Sequence, residues 1–173
     1  MRTAVFALTE AGAQLARRVG LALGDQATLF VSSRHATLGA QTFGRLREAV
    51  QENFHRYDAL VFIMAAGIAV RSIAPYLVSK LEDPAVVVLD EQGRHVISLL
   101  SGHVGGANRL TRALAAALGA EPVITTATDV EGLVAPDALA AELGLFPEPH
   151  AAILAVNSAL LSGAPIPYYV DPA

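Results

Sequence analysis

The stretch Ala59-Leu60-Val61-Phe62-Ile63-Met64-Ala65-Ala66-Gly67-Ile68-Ala69-Val70-Arg71 decides the fold class. Ala59–Met64 is an unbroken apolar run without polar alternation, the signature of a strand buried on both faces, as in parallel sheets. After Ala65-Ala66 comes Gly67, and a helical pattern begins there. A buried strand that turns through glycine into a helix is the unit from which α/β folds are assembled.

The alternation repeats on both sides of this unit. Towards the N-terminus, Thr3–Leu8 reads as a strand. Thr9-Glu10 leads into a helix over Ala11–Leu23, where Leu15, Val19 and Leu23 recur four apart. Thr28–Val31 is a second strand, and Phe43–Phe54 predicts a helix with Leu46, Val50 and Phe54 on one stripe. Towards the C-terminus, Gly67–Tyr76 predicts a helix that stops around Pro75. Ala85–Leu89 and His95–Leu100 are β-branched runs separated by Asp90-Glu91-Gln92-Gly93, the spacing of a hairpin. Asn108–Leu118 aligns Leu110, Leu114 and Leu118, with Gly119 as the stop. Pro122–Ile124 is a further strand, Asp137–Leu143 and Ala151–Leu161 are helices, and Ile166–Val170 is a last strand. The predicted fold is therefore α/β: a three-layer αβα sandwich with a mostly parallel sheet and one antiparallel hairpin. Pro147-Glu148-Pro149 reads as a linker. It separates an α/β domain over residues 1–146 from residues 147–173, a helix and a strand that begin a further segment.

Composition narrows the function. With 53% hydrophobic and 16% charged residues in 173, the chain has ample material for a core and is not disordered. A net charge of −4 argues against nucleic acid as a partner. The absence of cysteine excludes disulfides, thiolate zinc sites and a cysteine nucleophile. The first apolar run ends before Glu10, too short for a signal sequence, and Ala59–Val70 is too short to span a bilayer. These features predict a soluble, cytoplasmic protein with no membrane partner. The histidines His35, His55, His95, His103 and His150 show no i, i+4 pairing, so no metal site is expected.

Glycine and polar residues meet at four predicted strand ends, where open α/β sheets bind ligands. At the first, Gly67 permits close backbone approach and Arg71 offers a bidentate contact to a carboxylate; a plain strand–helix turn with a surface arginine is the alternative. At the second, Lys80 in Lys80-Leu81-Glu82-Asp83-Pro84 either binds a carboxylate or polarises a carbonyl, unless the segment is simply a solvated loop. The third is the strongest. Ser101-Gly102-His103-Val104-Gly105-Gly106-Ala107-Asn108 surrounds a histidine, which exchanges protons near neutral pH, with glycines that let the backbone present its amides. At the fourth, Thr125, Thr126, Thr128 and Asp129 either hydrogen-bond polar ligand groups or cap the next segment. None of these matches a P-loop, a dinucleotide fingerprint or a nucleophile elbow.

Together the segments resemble the CbiG family of cobalamin biosynthesis. The resemblance rests on Gly67–Arg71, Lys80 with Asp83–Val87, Ser98–Asn108 and Val123–Asp129, in that order, and covers roughly residues 3 to 140. Val156-Asn157 and Leu160–Gly163 look like the start of the family's middle segment. The resemblance implies a cobalt-precorrin-5A hydrolase, which opens the δ-lactone of a ring-contracted cobalt tetrapyrrole and releases acetaldehyde. No cofactor is expected beyond the cobalt that the substrate carries. Family members usually continue into a further C-terminal domain and this chain does not, so either that domain is a separate chain or this chain is a fragment. Expected partners are therefore a separate C-terminal domain or other cobalamin-pathway enzymes, and a homo-oligomer is open.

In that setting His103 is expected to activate water, and amides near Gly105 and Gly106 to stabilise the oxyanion. Lys80 and Arg71 would anchor carboxylate arms, while Gly102, Ser101, Asn108 and Thr125–Thr128 hold polar groups. Ser101 is the alternative nucleophile, with His103 as its base. All four places should converge on one cleft at one sheet edge. The contrasting reading is a non-catalytic tetrapyrrole- or anion-binding module that acts with a separate partner domain.

Overall fold

The computed structural model describes residues 1–79, 82–136, 139–140 and 150–166. The chain divides into two compact units, Met1–Ile124 and Thr125–Ala173. The predicted boundary between residues 146 and 147 lies outside the described residues, as do Pro147–Pro149, all of Ile166–Val170 but Ile166, and all of Asp137–Leu143 but residues 139 and 140.

In the first unit the elements run β1 (Thr3–Ala7), α1 (Glu10–Leu23), β2 (Ala27–Ser32), β3 (Gln41–Phe43), α2 (Leu46–Asn53), β4 (Ala59–Ile63), α3 (Ala66–Ile73), β5 (Ala85–Leu89), β6 (His95–Leu100), α4 (Ala107–Leu118) and β7 (Glu121–Val123). They form a seven-stranded sheet of order β3-β2-β1-β4-β5-β6-β7. Every neighbouring pair is parallel except β5 and β6. The α/β fold with one antiparallel hairpin is as the sequence predicts.

The strands are apolar on both sides because both faces are covered. Val5, Ala7, Val61, Ile63, Val87 and Leu89 point into a cluster completed by Leu15 and Val19 of α1 and Leu110 and Leu114 of α4. Their neighbours Phe6, Leu60, Phe62, Val86 and Val88 point the other way, onto Val50 of α2 and Ala69 and Ile73 of α3. Phe6 stacks between Phe30 and Phe62 at centroid distances of 5.0 and 5.3 Å, each such pair adding about 0.5–1.5 kcal/mol beyond burial. Thr9 caps α1 by accepting the Gly12 amide at 3.1 Å.

Two elements depart from expectation. Phe43 closes the edge strand β3, and α2 begins only at Leu46, after an extended Arg45. Phe43 is buried on the same face as Val50 and Phe54, so it matches the helical stripe without being in the helix. The helix expected over Gly67–Tyr76 ends at Ile73 and continues as a 3-10 turn over Ala74–Tyr76, with Pro75 inside the turn.

The hairpin turn is organised by Asp90. Its carboxylate accepts the amides of Gln92, Arg94 and His95 at 2.9, 3.0 and 2.7 Å, and Gly93 supplies the left-handed residue at φ 66°. Burial pushes the Asp90 carboxyl up, but these amides and the His95 side chain outweigh it and hold the pKa below the ordinary carboxylate value. The folded pKa is depressed, so the stabilisation is complete above the unfolded value of about 3.9 and is lost as pH falls through the folded one. Urea unfolding between pH 5 and about pH 2 is expected to show a shallower acid limb for Asp90→Asn than for the parent; superimposable profiles would remove Asp90 from the acid response.

The second unit contains α5 (Ala127–Val130) and α6 (His150–Leu161), which pack together. Among the described residues no helix is long and apolar enough to cross a membrane.

Candidate functional site

Chain direction decides where each candidate lies. β4 and β5 are parallel, so Gly67 follows the carboxyl end of β4. β6 runs the other way, with Leu89 beside Val96 and Val86 beside Leu100. The residues after Leu100 therefore emerge at the amino-terminal edge of the parallel strands. The structure thus places Gly67 and Arg71 at one sheet edge and Ser101–Asn108 at the opposite one. The expected single cleft is not formed: a hairpin reverses the strand, and with it the edge on which its loop opens. Arg71 also turns back on its own helix, Nη1 donating to the Gly67 carbonyl at 3.0 Å. Thr125, Thr126, Thr128 and Asp129 belong to the second unit. There Thr126 Oγ1 donates to Asp129 Oδ2 at 2.6 Å across the first turn of α5, and Thr128 is buried. Lys80 lies outside the described residues.

The glycine loop is a built structure. The β5–β6 register shifts between Val86 and Val87, so Leu99 bulges out of the ladder just before the loop; bulges recur beside active sites, where they re-aim the neighbouring side chains. Ser101 then adopts φ 56°, the only positive φ on a residue other than glycine among those described, at a strain of about 1–2 kcal/mol. Its Oγ donates to the Asp83 carbonyl at 3.0 Å, and its own carbonyl accepts the Ala107 amide at 3.1 Å. The Gly102 and His103 carbonyls accept the Asn108 and Gly106 amides, both at 3.0 Å. Asn108 is buried, with Oδ1 accepting from Ser98 Oγ at 2.6 Å.

Glycine is required for close approach at two of these positions. A Cβ at Gly102 would sit 2.8 Å from Asn108 Oδ1, and one at Gly105 would collide with Ser101 Cβ and lie 2.8 Å from the Ser101 carbonyl oxygen. This packing leaves His103 half-buried at the turn. The Gly106 amide is committed to His103, whereas the Gly105 amide has no acceptor among the described residues.

Sequence reasoning assigned no role to Asp83, which is buried under the loop. Its Oδ1 accepts the Val78 amide at 2.9 Å, and its carbonyl receives the Ser101 hydroxyl. The available signal was a carboxylate one residue before Pro84 and a fully buried strand. Groups of His, Cys, Asp and Glu suited to a metal ion are absent among the described residues.

Ser101 and Asn108 hold the loop's shape, and the Ser101 hydroxyl is turned to a backbone carbonyl. Ser101→Gly relieves the left-handed strain while removing one hydrogen bond of about 1 kcal/mol. Near-parental thermal stability and turnover are therefore expected, and a drop in rate of ~10³-fold or more would reinstate Ser101 as a nucleophile.

Fold and loop define a doubly covered α/β domain that presents a rigid glycine–histidine turn at the amino-terminal edge of its sheet. Residues 48–129, which contain that whole turn, match the family described as Cobalamin synthesis G N-terminal. The chain thus contains a segment that matches the N-terminal domain of the CbiG family. It is 49% identical over 161 residues to the cobalt-precorrin-5A hydrolase of Salmonella typhimurium, covering 92% of this chain and 45% of that protein. It is 43% identical over 147 residues to the cobalt-precorrin-5A hydrolase of Priestia megaterium, covering 82% and 39%. A crystal structure of a cobalamin biosynthesis protein G homologue from Sulfolobus solfataricus superimposes with a TM-score of 0.56 at 26% identity, over 98% of this chain and 50% of that one. The chain spans less than half the length of the curated relatives it matches.

Proposed function

We propose that this chain is the N-terminal α/β part of a cobalt-precorrin-5A hydrolase acting in the cytoplasm. The observation that carries the reading is the identity of 49% over nearly the whole chain to an enzyme of that name. The substrate brings its own cobalt, and the protein supplies acid–base and hydrogen-bonding groups.

His103 takes a proton from the water that attacks the lactone carbonyl. The imidazole suits this task because it is half-exposed at a turn, where a nitrogen can accept a proton from an attacking water. The Gly105 amide receives the negative charge that develops on the carbonyl oxygen. Gly106 shapes the turn at φ 83°, and its amide donates to the His103 carbonyl instead of to the substrate. Lys80 stands three residues before Asp83 in the sequence and anchors a carboxylate arm. Gly67 and Arg71, at the far edge, take no part in this step. A C-terminal domain, on this chain or another, or a further enzyme of the pathway completes the site for acetaldehyde release.

Incubating the purified chain with cobalt-precorrin-5A tests the proposal. Acetaldehyde should appear with the chain alone or on adding the C-terminal domain of a relative. Tight binding without acetaldehyde under either condition identifies a carrier module instead.

A further inference from the structure

The same sheet edge carries a second feature beside the glycine loop. A groove of about 660 Å³ opens where the chain enters β1, β2 and β4. Its lining includes Arg2, Asp25, Gln26, His55, Arg56 and Tyr57. Arg2 is committed to Asp58, through its amide at 2.7 Å and its guanidinium at 3.3 Å. The exposed guanidinium of Arg56, by contrast, has no partner among the described residues. His55 stands edge-on to Phe54 at a centroid distance of 4.9 Å, which fixes its ring at the rim. Asp25 is the single carboxylate in the lining. In a chain of net charge −4 this groove gathers hydrogen-bond donors around the Arg56 guanidinium.

Met1 joins the groove to the loop. Its amino group donates to Gln26 Oε1 at 2.7 Å, and its Cε lies 3.0 Å from where a Cβ on Gly106 would stand. One residue thus spans the interval between the two features. The volume exceeds what a lone carboxylate fills and falls in the range of small-molecule sites. An open, donor-lined groove suits acidic arms, which remain partly hydrated, better than an apolar ring face.

We propose that this groove receives carboxylate arms of the same tetrapyrrole whose lactone meets His103, with Arg56 as the principal anchor. The proposal rests on the hydrolase reading. A planar guanidinium grips a carboxylate through two parallel N–H bonds, so Arg56 holds one arm in register while the macrocycle lies along the edge towards the loop.

The test titrates cobalt uroporphyrin, a tetrapyrrole with eight carboxylates, into the full chain and follows its absorption. Arg56→Gln is expected to raise Kd about tenfold, the scale of one charge-assisted bond, without moving the thermal unfolding midpoint, since the side chain is exposed. Arg56→Lys should fall between, because a point charge loses the bidentate geometry. An unchanged Kd for Arg56→Gln overturns the groove, and so does a parent chain that fails to bind. Acetaldehyde release from cobalt-precorrin-5A then judges the hydrolase reading separately. Citrate is the second arm of the test. If it binds the parent as tightly as the tetrapyrrole does, with the same dependence on Arg56, the groove is a site for free carboxylates and the proposal fails.

Discussion

His103→Ala is expected to lower acetaldehyde release from cobalt-precorrin-5A by ~10²-fold or more, the usual scale for losing a positioned acid–base group. The effect should fall on kcat, since the role proposed for the imidazole is at the attacking water and not at the bound arms. Folding should be unaffected. The turn is fixed by backbone bonds among Ser101, Gly102, His103, Gly106, Ala107 and Asn108, and an alanine at position 103 keeps all of them. His103→Gln separates chemistry from structure. A glutamine replaces a hydrogen bond but takes up no proton near neutral pH, so it should not restore the rate. Near-parental release from His103→Ala removes the imidazole from the mechanism and makes Lys80 the next group to test.

The fold was legible because its central strands carry no polar residue to disguise them. Ala59–Ile63 and Ala85–Leu89 are buried on both faces, and only a covered sheet accommodates that. The hairpin was legible in Asp90–Gly93, whose carboxylate and glycine do what the spacing implied. The strand β3 was not. Three residues are too few for a period to register, and Phe43 fits the stripe of α2 as well as the strand. The placement of the site failed for a different reason. Each glycine cluster was recognised locally, but the reversal imposed by the hairpin was not carried through to the edge on which Ser101–Asn108 must open. The same topology conceals the groove. Arg2, Gln26 and His55–Tyr57 each precede a different strand and carry no motif, so only the parallel register of β1, β2 and β4 reveals that they share an edge.

Gly105→Ala is expected to be the most damaging small substitution in the loop. The glycine is not there for its backbone angles, since its φ is not among the positive ones. It is there because the space is already filled. The added methyl would overlap Ser101 Cβ and press on the Ser101 carbonyl oxygen. Neither atom can rotate away, because a Cβ and a carbonyl move only with the backbone. Ser101 is itself held in a left-handed conformation by bonds to the Asp83 carbonyl and the Ala107 amide, so relief requires the turn to open and those bonds to stretch. Overpacking of this kind costs about 1–3 kcal/mol, which for a chain of this size is a fall of roughly 2–4 °C in Tm per kcal/mol. The rate should fall as well, since opening the turn moves His103 and the Gly105 amide apart. Gly106→Ala is the matched control. It carries the strain of φ 83°, but its methyl would meet only the flexible ends of the Met1 and Arg109 side chains, so its cost is limited to about 1–2 kcal/mol of backbone strain and most of the turnover survives. Thermal unfolding and acetaldehyde release measured on both variants decide the matter. If Gly105→Ala is as stable and as active as Gly106→Ala, the close approach of the two loop ends is not what holds His103 in place.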